Sequence, residues 1–164
     1  YPTYSGFSVM AILLHPKSRG QIKLKSSNPS EPPSIALNPL SDSDDRSLLM
    51  RGMRKAIEVL HADAFDPFRE GEMLLPAPPA TDQIIGEHIQ KTLETLYHPV
   101  GTCKMGNDEM AVVDPTLKVH GISNLRVVDA SVMPKIVSGN TNAPVYMIAE
   151  KAADMILNYS DHNI

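Results

Sequence analysis

The stretch HPVGTCKMG occupies residues 98–106 of the chain, and two further distinctive stretches follow it. An apolar run that ends in an acid and two small residues, NLRVVDAS, occupies residues 124–131. The stretch SGNTNAP at residues 138–144 opens a helix that we expect to end near Asn158. A histidine, an aspartate at a strand end and an asparagine before a helix N-terminus thus follow one another. The C-terminal part of the chain therefore holds the strongest candidates for a functional site.

The composition is that of a soluble globular protein and argues against several function classes. Of the 164 residues, 42% are hydrophobic and 21% are charged, which suffices for one domain with a core. The net charge of -4 gives no basis for binding nucleic acid, because non-specific phosphate binding requires a basic patch. No apolar run approaches a bilayer span, and residues 1–14 lack the basic start of a signal peptide. A single cysteine excludes an intramolecular disulfide and fits a reducing compartment. The expected location is cytoplasmic or peripheral to a membrane.

A nucleotide-binding loop is not found in the sequence. The chain has no Gly-x-Gly-x-x-Gly between a strand and a helix, the loop that holds a dinucleotide pyrophosphate on backbone N–H groups. It also begins at Tyr1, without an initiator methionine, inside a segment with the pattern of a strand. We therefore expect these residues to be the C-terminal part of a longer protein.

The hydrophobic pattern predicts an α+β fold in which helices cover an antiparallel sheet. Residues 7–14 are largely apolar and residues 21–25 alternate polar with apolar, which predicts a hairpin that turns at residues 17–20. Residues 26–39 contain four prolines and are predicted to form a loop. Further short strands are predicted at residues 112–113, 117–119 and 125–128.

Three helices are predicted from their caps and their apolar spacing. The first begins at residues 41–45, the second covers residues 81–95, and the third begins at residue 142. The side chains expected to pack inward from the first helix are Leu49, Met53, Ala56, Ile57 and Leu60. Those from the second are Ile84, Ile85, Ile89 and Leu93, with Leu96 as a further candidate, and those from the third are Met147, Ile148, Ala152 and Met155.

The motifs resemble the C-terminal part of the glucose–methanol–choline (GMC) family of flavin oxidoreductases, and within it the choline and alcohol dehydrogenase branch. The resemblance is strongest over residues 97–157, which contain the three stretches quoted above. It is weaker over residues 11–60, where PKSRG at residues 16–20 and LKS at residues 24–26 fit the family's pattern. The resemblance implies an enzyme that oxidises an alcohol by hydride transfer to a flavin.

The resemblance also implies a cofactor, a substrate and a domain organisation. FAD is the expected cofactor, and a small-molecule alcohol is the expected substrate. Residues 1–96 would form the family's substrate-binding domain, and residues 97–164 the catalytic loop with a strand and a helix that return to the FAD-binding domain. That N-terminal domain, with the cofactor's main anchoring loop, would be a partner outside these residues. A dimer through the surfaces that it normally covers stays open.

His98 is the candidate catalytic base. Hydride leaves an alcohol carbon more easily once the hydroxyl proton has been removed, and imidazole accepts protons near neutral pH. The structural alternative is a histidine at a helix end that is paired with a carbonyl. The resemblance favours the catalytic role, because the family's catalytic histidine occupies this place in the motif.

Asn140 and the helix that follows it are the second candidate. The resemblance places Asn140 where the family has either a second histidine or an asparagine, whose amide can donate to the substrate oxygen. The structural alternative is a turn that ends in a helix cap. Asn142 and Ala143 would lie in the first turn of the helix with Pro144, where free N–H groups favour negative charge. The resemblance directs this helix end at the flavin, so Asn140, Asn142 and Ala143 are also assigned to cofactor binding.

Asp129 and Ala130 are assigned to cofactor binding by the resemblance, near the phosphates and the ribityl chain. An aspartate turn at a strand end is the structural alternative. Cys103 has no second cysteine to form a metal pair, so we expect no metal site and a small buried side chain there. The three aspartates at residues 42, 44 and 45 lack the loop glycine and terminal glutamate of a calcium site, and are predicted to be helix caps.

Two other functions remain open for the sequence. A few relatives in the family are flavin-containing lyases that cleave cyanohydrins without redox turnover. The chain on its own can also be a non-catalytic binding module.

Overall fold

The computed structural model describes residues 6–70 and 80–160 and confirms the α+β fold. Its strands are β1 (Gln21–Lys23) and β2 (Ser34–Ala36). Its helices are α1 (Ser43–Leu60), α2 (Asp82–Thr92) and α3 (Asn142–Ser160), with short 3-10 turns at Asp63–Phe68 and Ala130–Val132. The described residues form two compact units, one with residues up to 20 and 37–94, the other with residues 21–36 and 95 onward. The domain boundary near residue 96 stays a prediction.

The first unit is organised by α1 and α2. Asp42 caps α1 by accepting a hydrogen bond from the amide of Asp44 at 2.8 Å, as predicted. The buried cluster consists of Leu49, Ile57, Ile85 and Ile89. The predicted inward face of α1 is thus confirmed, whereas Ile84 on α2 is 44% exposed beside Ile85 at 1%. Neighbouring helical residues point about 100° apart, so only one of the two isoleucines can face α1.

The antiparallel sheet differs from the predicted hairpin. Strand β1 pairs with β2, in the register Gln21↔Ala36, Ile22↔Ile35 and Lys23↔Ser34, and not with residues 7–14. Strand β2 lies inside the segment predicted to be a loop, and every residue of both strands is exposed. The connection is closed by its own hydrogen bonds, since Ser26 Oγ donates to Glu31 and the amide of Glu31 donates to the carbonyl of Asn28. These bonds lie within the connection between β1 and β2.

Residues 9–14 keep the period-two pattern of a strand without belonging to one. Val9, Ala11 and Leu13 are half-buried, and the side chains between them are exposed. Ala11 packs against the α1–α2 cluster, and a Cβ at Gly52 would lie 3.2 Å from its own Cβ. The glycine in α1 thus lets the extended segment approach the helix closely.

Asp45 ties the loop before β1 to α1, and it is not the cap that the sequence predicted. Its carboxylate accepts hydrogen bonds from the amides of Lys17 and Ser18, at 2.9 and 2.7 Å, and from Ser18 Oγ at 2.5 Å. The residue is only 3% exposed. Burial alone would raise the pKa of this carboxyl, but the donors from Lys17 and Ser18 outweigh it, so its pKa lies below the ordinary value of 3.8.

Replacing Asp45 with asparagine is expected to lower the free energy of unfolding at neutral pH by about 1–3 kcal/mol, because buried donors lose a charged acceptor. A carboxyl with a lowered pKa stabilises the fold above its unfolded value and loses this contribution as pH falls through the folded value. The difference between wild type and D45N, measured by urea denaturation, should therefore be full at pH 7 and shrink at pH 3.

The matched control is Asp44→Asn. Asp44 is exposed and forms an ion pair with Lys17 at the surface, so its loss should cost at most about 1 kcal/mol. Equal losses of stability in the two variants would contradict the role assigned to Asp45.

The second unit has a core formed by Val113, Leu117, Val132 and Ala152. The strands predicted at residues 112–113, 117–119 and 125–128 are present only as isolated bridges, between Met105 and Val113, Val113 and Val119, and Lys118 and Arg126. Three positive φ angles interrupt any longer ladder, at Leu117 (67°), Gly121 (75°) and Asn124 (60°).

Helix α3 begins at Asn142 as predicted and extends slightly beyond Asn158, to Ser160. Its inward face was predicted correctly for Ala152, which is buried, and for Ile148 and Met155, which are half-buried. Met147 was assigned wrongly, since it is 66% exposed. Within the part of the chain that the structure describes, no helix combines the length and the hydropathy needed to cross a membrane.

Candidate active site at His98 and the start of the last helix

A hydrogen bond joins His98 to the residue that precedes α3. His98 Nδ1 lies 2.9 Å from Thr141 Oγ1, across 43 residues of sequence. His98 is half-buried, and it lies between Tyr97, whose φ is +60°, and Pro99. Pro99 restricts the backbone of His98, and the hydrogen bond to Thr141 places the imidazole beside the helix start.

The loop that follows His98 is fastened to the segment before the helix. The amide of Cys103 donates to the carbonyl of Ser131 at 3.0 Å, and the amide of Met105 donates to that of Val132 at 2.8 Å. Gly101 has a φ of +90°, and a Cβ there would lie 3.4 Å from the carbonyl oxygen of Met133. Glycine suits this position because other residues rarely adopt such a backbone conformation.

A tight turn at Asp114 supports this arrangement from the core of the unit. The Asp114 carboxylate accepts hydrogen bonds from the amide and the hydroxyl of Thr116, both at 2.7 Å, and from the amide of Lys118 at 3.0 Å. Burial would raise the pKa of this carboxyl, but the hydrogen bonds lower it below its usual range. The turn holds Val113 and Leu117 in the core, and Val113 is bridged to Met105 of the His98 loop.

Asn140, Asn142 and Ala143 lie at the same corner as the His98 contact. All three are exposed, and Asn140 directly precedes the residue that is bound to His98. Since consecutive Cα atoms are about 3.8 Å apart, the backbone of Asn140 lies next to that contact. The amide of Val145 donates to the carbonyl of Thr141 at 3.0 Å, the first bond of the helix. The N–H groups of Asn142 and Ala143 precede it, and the first N–H groups of a helix have no acceptor within the helix.

Asp129 and Ala130 form a turn between the bridged segments and the helix. The exposed Asp129 carboxylate accepts a hydrogen bond from the amide of Ser131 at 2.7 Å and caps the 3-10 turn Ala130–Val132. The amide of Met133 donates to the carbonyl of Ala130 at 3.2 Å. The carboxylate therefore has a structural role here, and a role of the pair in cofactor binding stays a prediction.

Thr141 is the site residue that sequence reasoning missed. Its place before Asn142 and Pro144 marks it as a helix cap, but no local pattern points from it to His98. Cys103, predicted to be buried, is half-buried. His61 and His120 have structural partners, because a ring nitrogen of each is hydrogen-bonded to a backbone carbonyl, of Ile57 and Gly106 respectively.

A family profile described as GMC oxidoreductase matches residues 16–149, most of the chain. The chain belongs to the GMC oxidoreductase family. The alcohol dehydrogenase [acceptor] of Pseudomonas putida is 46% identical over 158 residues, which cover 95% of this chain and 28% of that protein. An oxygen-dependent choline dehydrogenase of Staphylococcus epidermidis is 47% identical over 159 residues, with coverage of 94% and 28%.

Solved structures give the same assignment. Pyridoxine 4-oxidase from Mesorbium loti matches with a TM-score of 0.79 at 35% identity, covering 86% of this chain and 28% of that one. An FAD-dependent oxidoreductase from Chaetomium thermophilum matches with a TM-score of 0.83 at 29% identity, covering 90% and 26%. The predicted resemblance to the C-terminal part of GMC oxidoreductases is confirmed. This GMC chain spans about 28% of the length of the curated relatives it matches.

Proposed function

We propose that this chain forms the substrate-side part of an FAD-dependent GMC oxidoreductase that oxidises an alcohol, such as choline or a primary alkanol. The observation that carries the proposal is the hydrogen bond between His98 and Thr141. It joins the imidazole to the residue that directly follows Asn140, so we place the proton acceptor and the amide donor together at the start of one helix. The named relatives support the substrate class, since they are an alcohol dehydrogenase and a choline dehydrogenase.

The start of α3 has the chemistry to hold an anionic part of FAD. The amides of Asn142 and Ala143 are at the exposed N-terminus of a helix of 19 residues, where the helix dipole favours negative charge. The exposed turn at Asp129 and Ala130 is the second segment that we assign to the cofactor. FAD would supply the acceptor for the hydride that leaves the alcohol carbon.

The two side chains have separate roles at the substrate oxygen. A ring nitrogen of His98 accepts the hydroxyl proton, which leaves an oxygen that can form a carbonyl when hydride departs. The amide of Asn140 donates a hydrogen bond to that oxygen and stabilises its negative charge. Asn140 cannot take up a proton, so His98 is the only base in this scheme.

We also propose that a flavin-binding region outside these residues covers exposed apolar side chains of α3. Tyr146 and Met147 lie one turn from the helix start and are both largely exposed. Large apolar side chains that are exposed together commonly mark an interaction surface. The alternative occupant is a second copy of the chain, which light scattering of the isolated chain would detect as a dimer.

The test is a chimera in which this chain replaces the matching residues of the Pseudomonas putida alcohol dehydrogenase. We expect the purified chimera to retain FAD, and its flavin absorbance to bleach when a primary alcohol or choline is added without oxygen. The unmodified relative serves as the control. A chimera that keeps FAD but is reduced by none of these alcohols would contradict the proposal. Cleavage of a cyanohydrin without bleaching would instead favour the lyase alternative.

A further inference from the structure

Thr141 has two structural roles: it is the cap residue of α3 and the hydrogen-bond partner of His98. Its carbonyl accepts the first helical hydrogen bond, from Val145, so Thr141 occupies the cap position of α3. A capping threonine usually accepts from the amide two or three residues into the helix. The third residue here is Pro144, which has no N–H, so that only the amide of the second residue, Ala143, is of the kind that a cap usually accepts from. The hydroxyl is bonded instead to His98 Nδ1.

The surroundings of this contact limit where the Thr141 hydroxyl can lie. Thr141 is only 7% exposed and His98 is half-buried, so the hydrogen bond between them is partly shielded from water, which strengthens it relative to an exposed one. The backbone of Thr141 is held by the bond from Val145, which limits where Oγ1 can lie. Among the described residues, no group is hydrogen-bonded to the other ring nitrogen, Nε2 of His98.

The position of the proton on the His98 imidazole determines whether the ring has a nitrogen that can accept another proton. A neutral imidazole carries one proton, and a hydroxyl can either donate or accept. If the Thr141 hydroxyl donates to Nδ1, the ring proton is on Nε2 and neither nitrogen can accept another. If Nδ1–H donates to Thr141 Oγ1, Nε2 keeps its lone pair. Only the second arrangement leaves His98 with a nitrogen that can remove a substrate proton.

We propose that Thr141 is a positioning residue, whose buried Oγ1 accepts a hydrogen bond from Nδ1–H of His98 and thereby holds the ring in the tautomer with a free Nε2. The use of Nε2 as the base rests on the proposed function, whereas the tautomer itself does not. Because Thr141 is also the cap residue of α3, it fixes both the orientation of the His98 ring and the course of the backbone that follows Asn140. Second partners of this kind commonly fix the tautomer of functional histidines.

The test is nuclear magnetic resonance of the isotopically labelled 164-residue chain, without flavin or substrate. Long-range correlations between ring protons and ring nitrogens show which nitrogen of a histidine carries the proton. A His98→Gln sample assigns His98 among the six histidines. At alkaline pH we expect His98 to have a protonated Nδ1 and an unprotonated Nε2. A protonated Nε2 in the wild type would overturn the proposal without any variant being made.

Variants at residue 141 test the cause of that tautomer. Thr141→Val keeps the shape of the side chain and removes the hydroxyl, so we expect the proton to shift toward Nε2. Thr141→Ser restores a hydroxyl and should restore the Nδ1–H form. Thr102→Val, at an exposed threonine in the same loop as His98, is the matched control and should leave the ring signals unchanged. An unchanged tautomer in T141V would overturn the proposal.

Activity then separates this inference from the proposed function. In the chimera, T141V should lower the maximal rate of flavin reduction by about 10–100-fold, with a smaller change in the alcohol concentration needed for half-maximal rate, and T141S should recover most of it. If the tautomer is as expected but His98→Ala keeps normal turnover, the proposed base fails and the assignment of Thr141 stands. If His98 proves essential while T141V has the wild-type tautomer and rate, the proposed base stands and the role of Thr141 fails.

Discussion

Replacing His98 with alanine in the chimera is expected to lower turnover with a primary alcohol by about 10²–10⁴-fold, the range that one general base contributes. The physical reason is that hydride departs slowly from an alcohol that keeps its proton. The loss should fall on the rate of flavin reduction, measured by anaerobic stopped flow. The flavin content should stay near that of the unsubstituted chimera, since His98 is not among the residues assigned to FAD.

Two companion variants make the result for His98 specific. His98→Asn keeps a polar atom near the position of Nδ1 and so preserves a partner for the buried hydroxyl of Thr141, but it removes the base. It should be as slow as His98→Ala and fold as well as the wild type. His88→Ala removes a histidine from α2, in the other compact unit, and should leave turnover unchanged. Turnover of His98→Ala within about threefold of the parent would exclude His98 as the base.

Asn140→Ala is expected to have the second-largest effect, a loss of about 10²–10³-fold in the rate of flavin reduction, as when one oxyanion donor is removed. Asn140 is exposed in the loop before α3, so its truncation should not change the free energy of unfolding by more than about 0.5 kcal/mol. The combination of a slow reduction step and an unchanged urea midpoint distinguishes a functional amide from a turn residue.

Asn140→His and Asn107→Ala complete this test. A histidine at residue 140 can donate to the substrate oxygen, so Asn140→His should recover part of the rate that alanine loses. Asn107 is an exposed asparagine outside the proposed site, and its replacement should have no effect on reduction. Equal rates for Asn140→Ala and the parent chimera would leave Asn140 with only its place in the turn.

The helices were largely predictable because their signals are local. Asp42 before α1 and Thr81 before α2 supply side-chain oxygens to amides two and three residues ahead, and both caps are seen. The start of α3 followed from Pro144 near its first turn. These signals involve residues within one helical turn of each other, so no knowledge of the rest of the chain is needed to interpret them.

The sheet was not predictable in the same way, because β1 had a candidate partner on either side of it along the chain. Residues 7–14 and β2 were both available to β1, and the more apolar segment was the natural choice from sequence. The structure pairs β1 with β2 through the turn around Asn28 and places Ala11 against the α1–α2 cluster. Alternation of apolar and polar residues shows only that one face of an extended segment is packed. A strand in a sheet and an extended segment packed against a helix both have such a face, so the pattern does not distinguish them.

The sequence by itself determined the family, the positions of the three helices and the candidates His98 and Asn140, because each depends on a short motif. Only the tertiary structure decided that Thr141 bonds His98 and that Asp45 binds the amides of Lys17 and Ser18. These contacts close loops of 43, 28 and 27 residues. A residue's own neighbours do not specify which distant donor reaches it, since that depends on how the intervening segments pack.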